Sequence, residues 1–229
     1  MTSLAPNGLA ARIVLAILVA VGILYANFGP LIVSGLAHGV FTPASAGYLF
    51  SVNLYGTAYV THAAWPIMMD QNYGRVVLTS SVSGIYGNFG QANYGAAKMG
   101  MLGLMNVLEK EGAPKNVRVN VLAPAAETRL IGTIPGMTVN PDNPDPMRHP
   151  KLVTPAVLLM CAEDAPNGKV IHAGNGRFSC SAIFTNDDIA FTNPNLSYED
   201  LLAKKEQLLD MSHAKEGALR MRRRPGTGG

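Results

Sequence analysis

Short runs rich in Val, Ile and Leu recur along this chain, separated by longer stretches that mix apolar and polar residues. Such runs, without strict alternation, are typical of strands covered on both faces of a sheet. The pattern predicts strands over residues 74–80 (Gly-Arg-Val-Val-Leu-Thr-Ser), 117–123 and 169–173, the second ending at Pro124. Thr42-Pro43 and Thr154-Pro155 are helix-start signals, with threonine as N-cap and proline at the first helical position, where its missing N–H costs nothing. They open predicted helices over residues 43–69, bent at Pro66, and 154–164. A long helix is expected over 92–111 after a glycine-rich turn, and an amphipathic one over 198–211. Strands alternating with helices of this length give an α/β chain with a doubly wound parallel sheet.

Two segments stand outside that rhythm. Residues 130–150 hold Pro135, Pro141, Pro144, Pro146 and Pro150 among several Asn and Asp, which makes a long loop of the kind that often serves as a lid or binding segment. Residues 13–69 contain no Asp, Glu, Lys or Arg, and 13–26 are apolar apart from Gly22 and the Tyr25 hydroxyl. Three readings of that run are open: a signal or anchor preceded by Arg12, a buried parallel strand, or a segment foreign to the fold, as after truncation or a shifted reading frame. Membrane association through 13–36 is not favoured, because the run is short for a span and Asn27, Gly29 and Pro30 interrupt it.

With 229 residues, 48% apolar and 14% charged, the chain can bury one sizeable core. Net charge is only +3, and the basic residues gather near the end at Arg220, Arg222, Arg223 and Arg224, so no nucleic-acid footprint is expected and the tail reads as a solvated terminus. Cys161 and Cys180 have neither metal-ligand spacing nor the density of a disulfide framework, which fits a reducing cytoplasm and no metal site.

The informative constellation is Ser81, Tyr94 and Lys98, with Asn53 upstream. Tyr94 and Lys98 are four apart on a predicted helix and therefore share a face, which lets the ammonium lie near the phenol. A free phenol titrates near 10, too high for efficient acid–base work at neutral pH, and a neighbouring cation favours its phenolate. Ser81 ends a predicted strand, at the carboxyl edge where parallel sheets present their ligand crevice. A Tyr-x-x-x-Lys alone is a weak signal, since a helical tyrosine is usually a packing residue. Its weight comes from the serine thirteen residues earlier and the asparagine twenty-eight before that, each on the expected element.

At these residues the chain resembles the short-chain dehydrogenase/reductases. Residues 73–99 (YGRVVLTSSVSGIYGNFGQANYGAAKM) are similar to that family's catalytic strand, turn and helix. Val52-Asn53-Leu54 is similar to its asparagine motif, and residues 120–130 (NVLAPAAETRL) to the segment after its sixth strand. Within the family, the Gly-Ile-Tyr-Gly-Asn-Phe-Gly-Gln-Ala-Asn-Tyr run is closest to (3R)-hydroxyacyl-CoA dehydrogenases, with bacterial 3-oxoacyl reductases also near. The resemblance implies a Rossmann-like fold, NAD or NADP as cofactor, a hydroxy or keto substrate such as an acyl-CoA, and a homo-oligomer paired through the helices at 43–69 and 92–111. It implies that Tyr94 is the general acid or base and that Lys98 lowers its pKa and holds the nicotinamide ribose. Ser81 would bond the reacting oxygen and Asn53 a relay water. Thr128, with Pro124 and Ala125, would border the nicotinamide. Ala125 stands where many relatives have glycine.

The family's glycine-rich TGxxxGxG turn, which seats the cofactor pyrophosphate at a helix N-terminus, is not found before Thr42. The expectation is an N-terminally truncated or divergent member. It comprises an apolar segment at 1–41, a catalytic region at 42–212 and a basic tail at 213–229. Two functions follow: an oxidoreductase interconverting a secondary alcohol and a ketone, or a catalytically impaired fragment serving as an interaction module. A sheet without its first strands would also leave a central strand as an edge, needing cover.

Overall fold

The computed structural model describes residues 43–127 and 145–217, which fall in two compact units, one ending at Ser181 and the other beginning at Ala182. The expectations for residues 13–36, for most of the loop at 130–150, for Thr128 and for the arginine-rich end lie outside the described residues.

Helix α1 (Pro43–Phe50) passes through a π-helical segment (Ser51–Tyr55) into α2 (Gly56–Asp70), so the predicted first helix exists but changes pitch around Asn53. Polar side chains bond back four residues along it: Ser51 Oγ to Gly47 O, Asn53 Nδ2 to Leu49 O, Thr57 Oγ1 to Asn53 O and Thr61 Oγ1 to Thr57 O. Such donors compete with the helix's own ladder, and π segments concentrate at functional sites. The helix continues through Pro66, which is exposed, as is His62 one turn back, whose carbonyl proline cannot serve.

A four-stranded sheet follows, in the order β1 (Gly74–Thr79), β2 (Val117–Ala125), β3 (Val170–Gly174), β4 (Arg177–Ser181). The first three strands are parallel and β4 returns antiparallel to β3. The short α3 (Val82–Ile85) and the long α4 (Ala92–Gly112) join β1 to β2, and α5 (Thr154–Cys161) precedes β3. The core lies on both faces, as the unalternated runs predict. Val76 and Leu78 of β1, with Val117, Val119, Val121 and Val170, pack against Met68 of α2 and Met101, Leu102 and Met105 of α4. Val77, Leu122, Ile171 and Ala173 pack against Ala156 and Met160 of α5. Successive side chains point to opposite faces of a strand, so one run feeds two cores.

Strand β2 runs past the expected stop at Pro124. Its pairing with β1 ends at Leu122 opposite Thr79, so Pro124 pairs only with β3, and its missing N–H, which would point to the β1 side, breaks no ladder bond there. Helix α5 ends earlier than expected, at Cys161, because Ala162 turns to extended backbone (φ −67°, ψ 165°); the buried Arg75 guanidinium then takes the carbonyls of Ala162 and Glu163 that the helix end leaves unpaired. Strand β4 was not predicted, although Asn175 (φ 54°) and Gly176 (φ 69°) form the left-handed pair that the sequence Asn-Gly favours in a two-residue hairpin.

The unit from Ala182 pairs β5 (Phe184–Thr185) with β6 (Lys215–Glu216) and holds α6 (Tyr198–Leu202) and α7 (Lys205–Leu209). The single helix expected over 198–211 is thus two short ones. Ser197 and Asp200 form a capping box at the start of α6, but neither helix buries a residue, and without a packed face short helices do not extend. Among the described residues no helix is long and apolar enough to cross a membrane.

Candidate active site

The carboxyl ends of β1 and β2 converge with the start of α4, and the expected residues gather there. Lys98 is only 2% exposed, and its Nζ donates to Thr79 O at the end of β1 at 3.1 Å while lying 5.8 Å from the Tyr94 ring centroid. Ser80 Oγ donates to Lys98 O at 2.8 Å, a second tie between strand end and helix that the sequence reading missed. Burial pulls the Lys98 pKa down to about 7, since the charged amine loses its water. Its charge near neutrality therefore responds to whatever anion or dipole comes to the site.

Tyr94 is 8% exposed and packs on Leu49 of α1. Asn53 joins the group through that same residue, since its Nδ2 bonds Leu49 O at 3.1 Å. The π segment is held to α4 at Gly100: a Cβ there would stand 3.0 Å from Leu54 Cδ1, so this glycine serves contact within the subunit. Tyr94 N bonds Asn93 Oδ1 at 2.8 Å, fixing the first turn of α4.

Ser81 is the N-cap of α3, in extended backbone (φ −158°, ψ 155°), with Ser83 N donating to its Oγ at 3.2 Å. Its carbonyl accepts from Gly84 N and Ile85 N at 2.9 and 3.1 Å. The first part of the expected glycine-rich turn is thus a hydrogen-bonded helical turn, and Gly87 and Gly90 take the positive φ of the rest. Its Gly84 lies directly against Lys98, so the Ser81 turn and the lysine are in contact through backbone.

Pro124 and Ala125 end β2, half-buried and exposed, beside Gly174 of β3. A Cβ on Gly174 would come within 2.1 Å of Ala125 O, and glycine lets the strands close there. Thr128 lies outside the described residues, but Glu127 before it bonds Arg148: Glu127 N donates to Arg148 O at 2.7 Å, and Arg148 Nε stands 3.9 Å from Glu127 Oε2. Near the start of α4, Gln91 Oε1 is buried with no hydrogen-bond partner among the described residues. Among the described residues no group of His, Cys, Asp and Glu could hold a metal ion.

The sequence reading also missed a cluster at the far end of the Ser81 turn. Tyr86 closes α3, and its hydroxyl stands 2.7 Å from Ser181 Oγ, which is in turn 2.6 Å from His172 Nε2. The Tyr86 and His172 rings stack with centroids 5.7 Å apart and planes 12° off parallel. No spacing signal joins these residues; the β3–β4 register brings His172 and Ser181 together, and the end of α3 brings Tyr86 to them.

Comparison with known proteins identifies the family. A short-chain type dehydrogenase/reductase of Mycobacterium tuberculosis is 42% identical over 168 residues, covering 73% of this chain and 57% of that protein. An acetoacetyl-CoA reductase of Rhizobium meliloti is 35% identical over 145 residues, covering 60% of each chain. The solved full-length peroxisomal multifunctional enzyme type 2 of Drosophila melanogaster superposes with a TM-score of 0.64 at 36% identity, over 78% of this chain and 32% of that one. The chain thus spans under two thirds of the length of each. The family model for short chain dehydrogenase matches residues 10–132, more than half of the sequence and including Asn53, Ser81, Tyr94 and Lys98. A sheet of three parallel strands and one antiparallel, with helices on both faces, that match and those relatives lead to one conclusion: the chain belongs to the short-chain dehydrogenase family.

Proposed function

We propose that this chain is an NAD(P)-dependent oxidoreductase interconverting a secondary alcohol and a ketone, with 3-hydroxyacyl thioesters such as acyl-CoA as its substrate class. The observation that carries the reading is the seating of Lys98. It is buried beside the Tyr94 ring and bonded to Thr79 O at the end of β1, against the turn that Ser81 opens. The substrate class rests on the relative named for acetoacetyl-CoA reduction.

The residues present fit the nicotinamide half of such a cofactor. Lys98 offers an amine at the carboxyl edge of the sheet, and Pro124 and Ala125 offer a small apolar border where β3 closes on β2. Thr128 would extend that border. When bound, the nicotinamide supplies or takes the hydride. Tyr94 Oη passes the proton to or from the substrate oxygen, and the Ser81 hydroxyl donates a hydrogen bond to that oxygen, stabilising its developing charge. Lys98 lowers the cost of the Tyr94 phenolate and bonds the ribose, and Asn53 holds a water in the proton path. A homo-oligomer in a reducing compartment such as the cytoplasm completes the proposal, in keeping with two free cysteines.

Tyr94→Phe tests the assignment, because the ring still packs on Leu49 while the proton donor is gone. Turnover of acetoacetyl-CoA with NADH or NADPH should fall by roughly 10²–10⁴-fold while the chain stays folded. A variant within a few fold of the parent overturns it. A second reading, an impaired member that serves assembly, is favoured by the lack of a TGxxxGxG turn before Thr42. Calorimetric titration separates the two: low-micromolar binding of either dinucleotide supports the enzyme, and roughly millimolar binding supports the second reading.

A further inference from the structure

The Ser81 turn is a small element with little apolar purchase. Val82 is exposed, and of its four helical residues only Ile85 packs against the hydrophobic core. Gly84 meets Lys98 on one side. At the other end Tyr86 is 69% exposed, yet its hydroxyl and ring are both engaged, with Ser181 and with His172.

The β3–β4 register explains why those two partners stand together. Ser181 is paired with Val170, which makes His172 its diagonal neighbour, and side chains two apart on a strand share a face. Val170 belongs to the core on the α4 side of the sheet, so His172 and Ser181 face the side on which α3 and α4 lie.

We propose that Tyr86, Ser181 and His172 form a clamp that positions the Ser81 turn by fastening its end to the β3–β4 hairpin. These are positioning residues and touch no reacting atom; the inference rests on the reading of Ser81 as a site residue. Burial holds the His172 pKa below its ordinary value, so the ring is neutral at pH 7 and Nε2 can accept. The Ser181 hydroxyl has one proton and two acceptor sites: with the ring in its Nδ1–H tautomer it donates to His172 Nε2 and accepts from the Tyr86 hydroxyl, and with the other tautomer both bonds reverse, so the chain of three is satisfied either way. Tyr86 N bonds Val82 O, and Ile85 N and Gly84 N bond Ser81 O, so fixing Tyr86 fixes the turn back to Ser81.

Hydrogen exchange on the full chain reads the clamp directly, because the amides of Gly84, Ile85 and Tyr86 are the bonds that hold the turn. Ser181→Ala and Tyr86→Phe should each speed their exchange roughly tenfold, the factor that matches the net strength of one hydrogen bond. Exchange within α4 and the thermal midpoint should stay as in the parent, and Ser181→Thr, which keeps the hydroxyl, should restore slow exchange. Unchanged turn amides in both variants overturn the clamp, as does Ser181→Thr behaving like Ser181→Ala. Turnover of acetoacetyl-CoA distinguishes this from the site reading. The clamp variants should lower kcat with KM little changed. Undiminished kcat in Ser181→Ala, where Ser81→Ala lowers it, overturns the positioning role alone. Parental turnover in Ser81→Ala overturns the site reading instead, and the exchange result still decides the clamp.

Discussion

Gly84 of α3 lies so close to Lys98 of α4 that a Cβ built on the glycine would stand 2.7 Å from Lys98 Cβ and 2.9 Å from its carbonyl carbon. One of those atoms is backbone, so no rotamer change relieves the contact. Gly84→Ala should therefore push the Ser81 turn off α4, at a cost of about 1–3 kcal/mol in urea unfolding. Turnover should fall with it, since Ser81 moves relative to Lys98. Stability within a few tenths of a kcal/mol of the parent would show that the turn has room to shift.

Gly103, on the same helix, behaves oppositely. Nothing lies within 4 Å of a Cβ placed there, and the position is exposed in mid-helix. Gly103→Ala should stabilise an isolated subunit by up to about 1 kcal/mol, the ordinary helix-propensity difference. A loss of stability, or of assembly, would instead mark Gly103 as a close approach to a second subunit.

The pairing of Tyr94 with Lys98 was legible because a helix of known period converts a spacing of four into shared geometry. The two-sided core was legible because Val76, Val77 and Leu78 are apolar in succession. What escaped needs information that spacing does not carry. The π segment around Asn53 depends on which polar side chains bond back to carbonyls. The partner of the carbonyl just past α5 is Arg75, 87 residues before Ala162. His172 and Ser181 meet only once β4 is known to return antiparallel in one particular register. The Asn175-Gly176 pair was the available sign of that return.

The outer surface of α4 bears on assembly. Met99, Gly103 and Val107 follow at intervals of four and are all exposed, a stripe of apolar and small residues facing away from the core. Tyr55 and Tyr59, also exposed, stand with ring centroids 6.4 Å apart. A homo-oligomer paired through α2 and α4 would cover these residues. Light scattering at micromolar concentration should give at least a dimer mass, reduced to the monomer in Tyr59→Glu. A monomeric parent contradicts the pairing.

Lys98 sets the sign of a pH effect on stability. Its pKa in the folded chain is about 7, against an ordinary value of 10.5, because burial strips the ammonium of water. Between those values the unfolded chain keeps a proton that the folded chain has released, so this residue makes stability rise with pH across the window. Below pH 7 both states are charged, and the folded state bears the full cost of burying that charge. Lys98→Met keeps an unbranched side chain and removes the titration, at the loss of the bond to Thr79 O, about 1 kcal/mol. The variant should therefore be more stable than the parent at pH 6, by a few kcal/mol in urea unfolding, and the advantage should shrink steadily towards pH 10. All other titrating groups are shared by the two proteins and largely cancel in the difference. A stability difference independent of pH between 6 and 10 would show that Lys98 stays charged inside the fold. The 3.1 Å contact with Thr79 O would then belong to an ammonium stabilised well enough to keep its ordinary pKa.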